Sequence, residues 1–196
     1  MMNEHDLSLF EEYFQLPHAI PVNIQTGGDW LTLPNEEQFE QEIPIPYKVA
    51  SEMRGLEQTM LRPLRQLGDV IEPLADYLKA QSRKIDLMMN YILQAQDEDD
   101  MKLNTLSFGG GGFVLDTDQT FSLGSWVKCK LFFNDDAAAV YCYAKVCEQQ
   151  TVDSQQRYTF VFHRIRDEDR EIVVRASLHL QSKQLLKKTQ EKSQAK

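Results

Sequence analysis

The sequence predicts an α+β protein: a small antiparallel β-barrel with a long helix ahead of it and a shorter helix behind it. Three observations carry this. Between Ala50 and Ala95 apolar residues recur at alternating spacings of three and four, beyond residue 100 the period falls to two, and after Asp167 a helical period returns.

Residues 1–48 are acidic and contain Pro17, Pro21, Pro34, Pro44 and Pro46, which forbid long regular structure. One short helix is predicted from about His5 to Leu16, with Leu7, Phe10 and Phe14 on one face. Asp6 or Ser8 would start it, and Ser8 followed by Glu11 fits a capping box. The remainder should run extended, and its Ile24, Trp30, Leu31, Leu33 and Phe39 suggest that it lies against another part of the molecule.

The long helix, residues 49–97, carries two seam columns. One is Ala50, Glu57, Leu64, Ile71, Leu78, Ile85, Ile92, and the other Met53, Met60, Leu67, Leu74, Gln81, Met88, Ala95. A straight rod of this length spans roughly 70 Å, more than a small domain covers alone. Self-association into a dimer to tetramer through residues 50–95 is therefore expected, with Leu64, Leu67, Ile71, Leu74, Leu78, Ile85, Met88 and Ile92 at the interface. Docking of the same helix on the chain's own core is the alternative. Val49, Leu56, Val70, Tyr77 and Tyr91 widen the apolar face beyond a two-stranded seam, and Gln81 is a polar residue of the kind that sets register. Pro63 and Pro73 each remove a helical hydrogen bond, so the rod should kink or restart there. Asp97, Glu98, Asp99 and Asp100 oppose the helix dipole and mark a stop.

Strands are predicted over Leu103–Phe108, Phe113–Leu115, Ser125–Phe133, Ala139–Glu148 and Tyr158–Ile165, with turns at Asn134–Asp136 and around Asp153–Gln156. Val127, Cys129 and Leu131 alternate with lysines, and Val140, Cys142, Ala144 and Val146 alternate with Tyr141, Tyr143 and Lys145. Asp167, Glu168 and Asp169 open the closing helix. Its Ile172, Val173, Ala176 and Leu180 face inward, with Arg170, Arg175 and Lys183 outward. Residues 183–196 form a basic helical tail.

A net charge of -9 and a pI near 4.9 argue against binding a nucleic-acid polymer or an anionic membrane. No apolar run reaches membrane-spanning length and the acidic start does not suit a secretory signal, so a cytoplasmic protein without membrane insertion is expected. Cys129, Cys142 and Cys147 fit neither a zinc site nor a redox pair and read as small core hydrophobes. His5, His18, His163 and His179 make no metal-ligand or nucleophile-base pattern, and Asp116 and Asp118 read as a solvated turn. No metal, cofactor or enzymatic activity is expected.

One local motif stands out: Thr105-Leu106-Ser107-Phe108-Gly109-Gly110-Gly111-Gly112-Phe113. Four glycines between two strands permit close approach of a backbone or a ligand, so the stretch is either a hairpin turn or a ligand loop. It lacks the Lys-Ser or Lys-Thr of a phosphate loop of nucleotide hydrolases.

Ser107 and Gly110 match the Ser-x-x-Gly half of the Asp/Asn-x-Ser-x-x-Gly motif of PilZ domains, bacterial cyclic di-GMP receptors. Ala144-Lys145-Val146 resembles the family's middle strand, and Phe160-Val161-Phe162 running through Ile165 to Asp169-Arg170-Glu171 its last strand and closing helix. The long helix ahead extends the resemblance to the atypical, tetramer-forming branch. The resemblance implies a six-stranded PilZ-like barrel over residues 101–182 and a non-enzymatic signalling function, with Ser107 and Gly110 as ligand-binding positions. Its possible ligand is cyclic di-GMP. The family's Arg-x-x-x-Arg ahead of the barrel is replaced by the acids of 97–100, and the motif's first position is Thr105. Arg166 and Arg170 have the four-residue spacing but follow the barrel: a solvated first turn or a relocated phosphate clamp. The other reading is a nucleotide-independent oligomeric adaptor that binds a protein partner through the barrel.

Overall fold

The computed structural model describes residues 3–27, 32–53, 72–95, 102–134, 138–153 and 155–194. Ahead of the barrel strands lie α1 (Glu4–Glu11), β1 (Leu16–Pro17), β2 (Pro21–Gln25), α2 (Glu36–Glu42), α3 (residues 45–53) and α4 (Glu72–Ala95). There follow β3 (Lys102–Asn104), β4 (Ser107–Gly109), β5 (Gly112–Thr117), β6 (Trp126–Phe133), β7 (Ala138–Val152), β8 (Gln155–Arg164) and α5 (Asp167–Gln194). The strands form one antiparallel eight-stranded sheet in the order β1-β4-β5-β8-β7-β6-β2-β3. It curls until its ends approach, where the Thr105 N–H donates to the Ile20 carbonyl and the Ile20 N–H to the Thr105 hydroxyl, each at 3.0 Å.

The five predicted runs, and the six strands the resemblance implies, fall short of the eight observed, for two physical reasons. The run expected as one strand over Leu103–Phe108 is divided at Thr105, whose backbone and hydroxyl turn to Ile20 and His18. The proline-containing amino-terminal stretch supplies the other additions: β1 lies at the sheet's end, and β2 sits between β3 and β6 with Val22 and Ile24 facing the core. Pro21 occupies the first position of its strand, where a missing N–H does least harm.

Inside the curl lies a core of Phe108, Phe113, Leu115, Cys129, Leu131, Cys142, Tyr158, Phe160 and Phe162, closed by Ile172, Val173 and Ala176 of α5. Phe113 stacks on Phe160 with ring centroids 4.7 Å apart. A second apolar layer covers the outer face of β6 and β7. Phe39 and Ile43 from the α2 region, Tyr47 and Ala50 of α3, and Met89 and Leu93 of α4 pack there on Phe132, Ala139, Tyr141 and Tyr143. Hence β7 is buried on both faces over residues 138–147, and its outward tyrosines, which alternation alone would leave in water, are interior. The cysteines are free and buried, as small core residues.

Helix α1 is shorter than expected and starts earlier. Asn3 caps it by accepting from the Asp6 N–H, while Ser8 lies within the helix. A capping box does occur, at Asn35 and Gln38 ahead of α2. Pro73 lies in α4, next to the residues outside the described range.

The face that α4 turns to the sheet is Met89 and Leu93, beside the seam columns rather than on them. Leu74, Ile85, Met88, Ile92, Tyr77 and Tyr91 stay exposed, Met88 at 65% and Tyr91 at 75% of their surface. Leu78 is half-buried. Leu64, Leu67, Ile71 and Pro63 lie outside the described residues, as do the acids of 97–100.

Candidate functional site

The glycine motif forms the turn between β4 and β5, with Gly109 paired to Gly112 and the Gly111 carbonyl accepting from the Phe162 N–H at 2.9 Å. What approaches this bare backbone is the chain's own amino-terminal segment. A Cβ on Gly109 would stand 2.2 Å from the Phe14 carbonyl oxygen, one on Gly110 2.4 Å from the Tyr13 ring, and one on Gly111 2.5 Å from the Leu9 carbonyl oxygen. No side chain fits at these distances, so glycine is required for this packing.

The neighbouring motif positions are engaged by the same segment. Ser107, half-buried, pairs with Pro17 across β1 and β4, and Phe108 pairs with Leu16. Thr105 bonds Ile20 and His18. Arg170 donates to the Gly110 carbonyl and places its guanidinium 5.4 Å from the Tyr13 ring centroid. Sequence patterning put Arg170 outward; the folded N-terminal segment covers it.

Helix α1 is anchored through Asp6, a carboxylate only 2% exposed. Lys145 Nζ reaches its Oδ2 at 2.8 Å and His163 Nε2 its Oδ1 at 2.8 Å. The Trp126 ring meets the His163 ring edge-on, and Lys145 lies 5.9 Å from the Trp126 centroid. Burial pushes the Asp6 carboxyl up, but the hydrogen bond and charge of Lys145, with His163, outweigh it and hold the group below the usual carboxylate range. Burial also pushes His163 down, against the pull of Asp6, so its neutral form is favoured.

A folded-state pKa below the unfolded one means that the stability contributed by His163 is present above about pH 6.5 and is lost as pH falls through the folded value. The urea midpoint is therefore expected to fall between pH 7.5 and 5.5 by more in the parent chain than in His163→Gln. Equal slopes would exclude this linkage. Comparison with the variant is needed because Asp169 contributes the opposite slope below pH 6: burial pushes its carboxyl up to about 6 despite Arg166.

Arg166 and Arg170 do not converge on a common anion site. Arg166 forks onto Asp169 at 2.8 and 3.0 Å and reaches Glu168 at 3.1 Å, while Arg170 serves Gly110 and Tyr13. Since Asp169 is fully buried, Arg166→Ala leaves an unpaired carboxylate in the core and is expected to cost about 3 kcal/mol in urea unfolding. A loss below about 1 kcal/mol would mean a spare guanidinium.

The Asp116 carboxylate is taken up by a two-pronged bond from Arg157 at 2.7 and 2.8 Å. Two open clefts among the described residues are lined without the glycine turn. One of about 640 Å³ is lined by Gln38, Glu42 and Tyr143, and one of about 420 Å³ by His18, Phe133 and His179. Among the described residues no group of three or more His, Cys, Asp or Glu could hold a metal, and no helix is long and apolar enough to cross a membrane.

Asp6, Tyr13, Lys145 and His163 were not singled out as a site from sequence. Their trace there is polar: Lys145 interrupts the apolar run 138–147, His163 follows Phe160, Val161 and Phe162, and an acidic helix stands at the other end of the chain.

The PilZ domain family model matches residues 80–178. Among solved structures, a pathogenic protein of Xanthomonas campestris, described as a tetrameric PilZ domain self-assembled via an unusual helical bundle, is similar with a TM-score of 0.55 at 14% identity. The alignment covers 89% of this chain and 90% of that one, and shows a shared fold. The Bacillus subtilis inhibitor of motility matches over 44% of this chain and 45% of its own, with a TM-score of 0.38 and 13% identity. No curated protein matches.

Proposed function

Because the chain belongs to the PilZ domain family, we propose that it is a non-enzymatic bacterial signalling protein, cytoplasmic, that self-associates through residues 50–95 and engages a protein partner without depending on cyclic di-GMP. The observation that carries this reading is the occupancy of the glycine turn by residues 9–17 of the same chain. A nucleotide approaching Ser107 and Gly110 meets Pro17 and the Tyr13 ring, and Arg166 and Arg170 are bound to Asp169 and to the Gly110 carbonyl. A dianionic ligand also lacks the paired arginines ahead of the barrel that would offset its desolvation.

Self-association is supported by the exposed seam of α4 and by the tetramer described for the Xanthomonas protein of similar fold. A calorimetric titration of the full chain with cyclic di-GMP is expected to give no saturable heat up to millimolar ligand. Saturable binding that is lost in Ser107→Ala would restore the receptor reading instead.

A further inference from the structure

We propose that the face beneath α1 is a docking surface for an acidic amphipathic helix of another protein, and that α1 is its intramolecular stand-in. The inference rests on the adaptor reading above and supplies its partner class.

First, α1 is held by charge more than by apolar burial. It has eight residues, of which Asp6 is the buried one; Leu7 is exposed, and Leu9 and Phe10 are only half-buried. A helix that short is marginal in water without its docking contacts. Second, the face is assembled from elements that pair with one another rather than with α1. Trp126, Lys145 and His163 come from β6, β7 and β8, the glycine turn from β4 and β5, and Arg170 and Val174 from α5. A cationic groove with an aromatic wall therefore persists when α1 leaves. Third, the present cover fits imperfectly: the Gln15 side-chain amide is buried with no hydrogen-bond partner among the described residues.

The chemistry of α1 specifies what replaces it. The occupant supplies a carboxylate between Lys145 and His163, helical carbonyls over Gly111, and an aromatic ring beside Gly110, Val174 and Arg170, as Asp6 and Tyr13 do here. On an otherwise acidic chain such a groove selects an acidic helix over a basic one by charge.

The test uses the full chain and a fluorescein-labelled peptide with the sequence of residues 3–15. Asp6→Asn removes the carboxylate of α1 while keeping its shape. Amide exchange of residues 4–11 is expected to accelerate at least tenfold in the variant, and the peptide to bind it at least tenfold more tightly than the parent. That binding should disappear when Lys145→Glu is added and weaken as salt rises. Unchanged exchange overturns the charge-held cover. Accelerated exchange without peptide binding, or equal binding of a scrambled peptide, overturns the docking surface. Cyclic di-GMP binding gained by Asp6→Asn in place of peptide binding would make the groove a nucleotide site and overturn the inference. Cyclic di-GMP binding by the parent chain would instead defeat the adaptor reading itself, which separates the two failures.

Discussion

Under the self-association proposed through residues 50–95, Ile85→Asp is expected to leave single chains of 22.7 kDa, each still folded. Ile85 is exposed on α4, and with Leu74, Met88 and Ile92 it presents an apolar strip that the sheet does not use. A carboxylate enclosed against a second copy of that strip costs several kcal/mol, which is a loss of more than about 100-fold in association. Because the residue makes no part of either core, urea unfolding of the separated chain should be little changed. Leu93→Asp is the control on the adjacent, sheet-facing side of the same helix. Leu93 is 2% exposed among Phe39, Tyr47, Tyr141 and Tyr143, so the charge should cost about 4 kcal/mol or more of chain stability. Light scattering with urea unfolding reads both variants. An unchanged mass for Ile85→Asp would remove α4 as the assembly surface.

Gly112→Ala is expected to cost the barrel about 3 kcal/mol or more. A Cβ there would lie 2.0 Å from the Phe160 carbonyl oxygen, which belongs to the backbone of β8 and cannot swing aside. The collision falls where Gly112 pairs with Val161, next to the stacked rings of Phe113 and Phe160, so relieving it separates β5 from β8. Gly111→Ala should behave differently, since its clash is with the Leu9 and Phe10 carbonyls of α1. There the helix can lift and the barrel remain, at about 1 kcal/mol. Thermal unfolding should separate the two by several degrees, and faster amide exchange confined to residues 4–11 should mark the second. Equal melting temperatures would mean that Gly112 has room the structure does not give it.

These glycines show how far the sequence reaches. Their run announces a close approach, and patterning cannot say to what: Gly112 is bare for β8, Gly110 and Gly111 for residues 9–13. The same holds for Arg166 and Arg170. Their spacing matches a phosphate clamp, but the partners that engage them, Asp169 and the Gly110 carbonyl with Tyr13, include groups brought in by the fold. The strand count missed for a related reason. β1 and β2 are short, begin or end on proline, and hold their place through β4, β3 and β6, so their own residues carry little strand signal.

By itself the sequence determined most of the strand positions between residues 107 and 164, the closing helix with its acidic first turn, and a helix over 72–95 with an apolar strip. Those properties are periodic, and a local period of two or of 3.6 decides which side chains share a face. Tertiary structure alone decided which face of α4 is spent on the sheet, that Tyr141 and Tyr143 are interior, and that α1 lies over the glycine turn with Asp6 between Lys145 and His163. Each of those joins residues far apart in the chain through packing and charge, and a one-dimensional pattern carries no record of the partner at the other end.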